Sequence, residues 1–129
     1  MKVATVIVAT KSYLDPLEVC LRRARTAIEH SGTEIDHKLI VVTDEASKRT
    51  VEALVDGFCN SQVIAIAMEE SGEHYKKDRQ ILIASLQSTG FDAARNWGCD
   101  FLWSVEADVL VPHNALSVSL EMLRFDEGY

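Results

Sequence analysis

Two carboxylates one residue apart, Glu106 and Asp108, close the apolar run Phe101-Leu102-Trp103-Ser104-Val105. In an extended chain, side chains at i and i+2 project to the same side, so this pair can converge on one cation. Hard divalent ions such as Mg²⁺ or Mn²⁺ take oxygen ligands and keep water or phosphate in their remaining positions. The competing reading is that two acids simply terminate a strand. Thr10, Lys11 and Tyr13 follow an earlier apolar run, Asp44 follows a second, and His74, Lys76, Lys77 and Arg79 follow a third. Arg79 can meet a phosphate bidentately, whereas Lys76 and Lys77 read as solvated residues opening a helix. The four histidines share no ligand spacing. His113, five residues after Asp108, is within sequence reach of the same ion, although an ordinary surface histidine is the simpler reading. Cys20, Cys59 and Cys99 form neither a metal spacing nor a disulfide framework and read as small buried hydrophobes.

The elements that must position these groups repeat four times. Val3 to Ala9, Lys38 to Thr43, Gln62 to Met68 and Phe101 to Val105 are short, apolar and rich in β-branched residues, the pattern of strands covered on both faces. Between them lie helical patterns. Leu14, Leu17, Leu21, Ala24 and Ile28 form one stripe, introduced by Asp15 as N-cap with Pro16 at the first helical position, and Gly32 supplies the C-terminal cap. Val51, Leu54, Val55 and Phe58 mark a second helix. A third runs near 79–97 with a break expected at Gly90, and Pro112 precedes a fourth carrying Leu116, Leu120 and Leu123. Alternating strands and helices predict an α/β three-layer sandwich with a mainly parallel, Rossmann-like sheet of order 3-2-1-4. Right-handed crossovers then bring Thr10, Asp44 and Asp108 to one rim, beside a crevice between the first and fourth strands.

Composition narrows the ligand. The 129 residues suffice for one domain, 1–129, and 47% hydrophobic content supports a core. A net charge of −7 argues against nucleic acid, whose phosphates demand a basic face. No apolar run approaches a membrane span, and the short β-branched start reads as a strand rather than a signal peptide, so a cytoplasmic location is expected. The first turn, Ala9-Thr10-Lys11-Ser12-Tyr13-Leu14, contains no glycine, which argues against dinucleotide and P-loop sites.

The run Phe101-Leu102-Trp103-Ser104-Val105-Glu106-Ala107-Asp108-Val109, with Pro112 and Leu116, resembles the Asp-x-Asp region of family 2 glycosyltransferases and their GT-A-fold relatives. Val6-Ile7-Val8-Ala9-Thr10-Lys11-Ser12 is similar to that family's opening strand and turn. Leu39 to Thr50 resembles its Val-Asp-Asp-Gly-Ser-x-Asp-x-Thr signature: Val42, Asp44 and Thr50 match, while Thr43 stands in place of the first Asp. The resemblance implies a metal-dependent transfer of sugar from a nucleoside-diphosphate sugar to an acceptor it does not identify. It implies Asp44 near the nucleobase, and Asp108 holding Mn²⁺ or Mg²⁺ at the diphosphate. Glu106 replaces the first Asp of the triplet. Thr10, Lys11 and Arg79 complete the expected donor site.

The resemblance covers only the donor-binding part of that family's domain. The acceptor-binding part and its catalytic base are therefore expected to be missing, leaving this chain inactive by itself. An apolar face beside the fourth strand and last helix, with Trp103, Leu116 and Leu120, would then be uncovered and favour a homo-oligomer. The alternatives are a noncatalytic flavodoxin-like or receiver-like binding domain, or a degenerate transferase that only binds nucleotide. A receiver fits poorly, because Ala9-Thr10-Lys11 stands where its acids would follow the first strand.

Overall fold

The computed structural model describes residues 1–32, 34–67 and 75–127, the side chains of 75–82 and 124–127 excepted. Strand β1 (Lys2–Val8) is followed by a 3-10 turn at Lys11–Tyr13 and helix α1 (Leu14–His30). Strand β2 (Asp36–Asp44), a 3-10 turn at Glu45–Ser47, helix α2 (Lys48–Leu54) and strand β3 (Ser61–Ile66) come next. Helix α3 (Tyr75–Trp97), strand β4 (Phe101–Glu106) and helix α4 (Ala115–Glu127) complete the order. The four strands form one parallel sheet in the order β3-β2-β1-β4. The predicted α/β class, parallel sheet and strand order all hold. Among the described residues, no helix is long and apolar enough to cross a membrane.

Both faces of the sheet are covered, and the central strands β1 and β2 bury apolar side chains on each. Ile7, Leu39 and Val41 pack against Leu17, Leu21 and Val51 of α1 and α2. Ala4, Val6, Ile40 and Val42 meet Leu86 and Ala94 of α3 on the opposite face. Helix α4 lies on the α1 face, where Leu116 and Leu120 cover Val3 together with Ile28, Phe101 and Trp103. The first two crossovers step one way from β1, and the third carries α3 across the other face and returns the chain to β1's free side. That reversal is the topological switch point at which open α/β sheets bind ligands.

Four expectations need correction. Helix α1 begins at Leu14 with Tyr13 as N-cap, so Asp15 is not the cap. The 3-10 turn runs directly into the helix, and Pro16 falls in the first turn, where its missing N–H has no intrahelical duty. Gly90 does not break α3. A Cβ there would lie 2.5 Å from Val6 Cγ1 and 3.1 Å from Val42 Cγ2, so glycine allows the unbroken helix to lie close against the sheet. Leu116 and Leu120 are buried and Trp103 is half-buried, so these three residues do not form the uncovered apolar face expected of them. Cys59 is exposed rather than buried. Gly32, by contrast, has φ +100°, the left-handed conformation expected just past α1.

Candidate functional site

The carboxyl ends of β1, β2 and β4 share one rim because the strands are parallel and in register, with Val8 opposite both Val42 and Glu106. At this rim a cavity of about 230 Å³ opens between β1, β4 and α3. Val6 and Val8 of β1 and Ile83 of α3 supply its apolar wall. Thr10, Tyr13, Gln87, Ser104, Glu106 and Asp108 supply its polar groups. It lies at the switch point, where the crevice was predicted. Among the described residues its wall carries two carboxylates and no lysine, arginine or histidine.

Strand pairing stops at Glu106, and Ala107 and Asp108 form a turn closed by Val109 N–H donating to Glu106 O at 3.1 Å. Burial still alternates as a strand would dictate: Val105 and Ala107 are buried, while Glu106 and Asp108 are exposed and reach the same cavity. The turn is held from below. Cys20 of α1 directs its thiol to Glu106 O at 3.5 Å, and burial, then the negative Asp108, push that thiol up to about 11. Cys20 therefore stays a neutral donor beneath the acidic turn.

Asp44 stands on the same rim one strand away and is only 6% exposed. Its carboxylate accepts Ser47 N–H at 2.8 Å and Lys11 N–H at 3.0 Å. The first contact caps the 3-10 turn after β2, and the second ties the β1 turn to β2. Asp44 thus has structural work independent of any ligand. Lys11 offers its backbone to Asp44 while its side chain is exposed, and neither residue lines the cavity. Thr10 does line it, in extended conformation, with its carbonyl accepting Tyr13 N–H at 2.8 Å. Thr43, in the position of the family's first Asp, is buried, and its Oγ1 has no hydrogen-bond partner among the described residues.

The structure therefore brings Thr10, Glu106 and Asp108 together around one cavity, with Lys11 and Asp44 beside it. The side chains of Lys76, Lys77 and Arg79, and all of His74, lie outside the described residues. His113 is carried away from the rim: its ring meets that of His30 with centroids 5.2 Å apart, at the end of α1 farthest from the β1 turn. Sequence reading assigned no role to Ser104 or Gln87, yet both line the site. Ser104 was readable from the period of two that aligns it with Glu106, and Gln87 follows Ile83 at helical spacing. Among the described residues, no group of three or more His, Cys, Asp or Glu side chains gathers to hold a metal. A hard ion here would take two carboxylates and complete its shell with water or phosphate. The chain matches no family model, no curated protein and no solved structure.

Proposed function

We propose that this chain is the donor-binding portion of a metal-dependent glycosyltransferase, holding a nucleoside-diphosphate sugar over the carboxyl ends of β1 and β4. The observation that carries the reading is the cavity at the switch point, with Glu106 and Asp108 on its wall and no cationic side chain among its described lining residues. These two carboxylates would repel a bare diphosphate. A divalent ion shared between the carboxylates and the phosphates reverses that repulsion, and it also stabilises charge on a departing nucleoside diphosphate.

Asp108 and Glu106 would hold Mn²⁺ or Mg²⁺. Thr10 and Ser104 offer hydroxyls and Gln87 an amide, groups suited to an uncharged polyhydroxyl ligand. Asp44 would contribute by fixing the Lys11 backbone and with it the turn that carries Thr10. No residue is assigned as catalytic base.

Calorimetry with uridine and guanosine diphosphates, each with and without Mn²⁺, tests the reading. Binding should require the metal, and Asp108→Ala should remove the metal-dependent part while leaving the circular-dichroism spectrum unchanged, since an exposed carboxylate has little packing role. Equal affinity with and without metal, or an unaffected Asp108 variant, would favour a noncatalytic binding domain.

A further inference from the structure

We infer that His30 and His113 form a second metal site, selective for borderline transition ions of the Zn²⁺ class, at the end of α1 opposite the rim. His30 is the last residue of α1, and His113 lies in the turn that opens α4. Their ring centroids are 5.2 Å apart and their planes are crossed at 79°. Two imidazoles bound through nitrogen to one tetrahedral ion at about 2.0–2.1 Å place their centroids about 5 Å apart, a separation these two rings match in their edge-on contact. Both rings are exposed, so burial does not account for their approach and an ion can enter from solvent.

The surroundings limit what the site can hold. No third His, Cys, Asp or Glu joins the pair among the described residues, so water fills the other positions. Imidazole nitrogen suits Zn²⁺, Ni²⁺ and Cu²⁺ and is a poor match for Mg²⁺. The carboxylates at the rim have the reverse preference. Helix α1 starts at the rim and rises about 24 Å over its length, so the two sites are separate. An ion on both rings would clamp α1 to the start of α4, where Leu116 packs near Ile28. It would also fix the far end of the segment 107–114 that leaves the acidic turn. Metal bound only by the native state raises stability by mass action.

The test uses the full chain, stripped with chelator and carrying Cys59→Ser so that the exposed thiol does not compete. Zn²⁺ titrated by calorimetry should bind one ion per chain and raise the unfolding temperature, with excess Mg²⁺ failing to displace it. His30→Gln and His113→Gln should each weaken Zn²⁺ binding by about ten-fold or more. Ni²⁺ should broaden the ring resonances of His30 and His113 before that of half-buried His37, a readout needing no variant. Absence of Zn²⁺ binding in the millimolar range, unchanged affinity in both variants, or broadening that spares these rings would overturn the proposal.

Discussion

At the scale of single residues, neighbouring positions on β2 have opposite consequences. Asp44 satisfies two backbone amides, whereas Thr43 buries a hydroxyl with no partner among the described residues. Removing a charged acceptor from two donors costs about 2–4 kcal/mol, while replacing an unsatisfied hydroxyl by a methyl of similar shape relieves desolvation. Asp44→Ala should therefore destabilise the fold by that amount, and Thr43→Val should stabilise it by about 1 kcal/mol. Urea unfolding measures both; a destabilised Thr43→Val would mean that the hydroxyl has a partner. Asp44 was legible as a rim residue, but not its double acceptance, which depends on a turn 33 residues away in sequence.

His37 was set aside in the sequence as a histidine without ligand spacing. It sits on β2 with Nε2 2.6 Å from the buried Thr5 Oγ1, and burial lowers its pKa from 6.5 to about 4 against an opposing pull from Asp36. The unfolded chain therefore takes up the proton first. Its contribution is complete above pH 6.5 and is lost as pH falls through about 4. The loss should be on the order of 2 kcal/mol, and His37→Gln should flatten the stability profile in that window. A slope unchanged by the variant would assign the acid sensitivity to carboxylates instead.

At the scale of elements, Gly90 shows why a propensity reading of α3 failed. Glycine lowers helix propensity, which suggests a break, but the same missing Cβ admits Val6 and Val42 against the helix. Packing overrides propensity. Gly90→Ala would gain about 1 kcal/mol of helix propensity. It would also place a Cβ 2.5 Å from Val6 Cγ1, on a central strand with little room to move. Overpacking costs about 1–3 kcal/mol, so a net loss is expected, and Val6→Ala in the same chain should recover part of it. A more stable Gly90→Ala variant would show that α3 can shift outward. Because Val6 also walls the cavity, such a shift would alter the site.

At the scale of the molecule, alternating apolar strands and amphipathic helices predicted the parallel sheet, and its order β3-β2-β1-β4 with a crevice beside β1 is the doubly wound arrangement that was expected. Given that order, the crossover rule requires α3 to lie on the face opposite α1. The surface was less legible. Leu116 and Leu120 were expected to be uncovered because a partial domain was assumed, yet α4 turns them inward. Among the described residues, the large apolar side chains that are exposed include Leu102 on β4, Val109 and Leu110 in the loop after it, and Val118, Met122 and Leu123 of α4. The carboxylate pair was readable from strand alternation, although a turn completes their convergence.

The central claim is that Glu106 and Asp108 hold a divalent ion that in turn holds a diphosphate. Equilibrium dialysis of uridine diphosphate with Mn²⁺ against the chain measures this directly, by counting nucleotide and metal retained together. Wild-type protein should retain one nucleotide with one Mn²⁺, and chelator should release both. Asp108→Ala should retain neither at the same concentrations. Nucleotide held without metal, or retained undiminished by the Asp108 variant, would contradict the account.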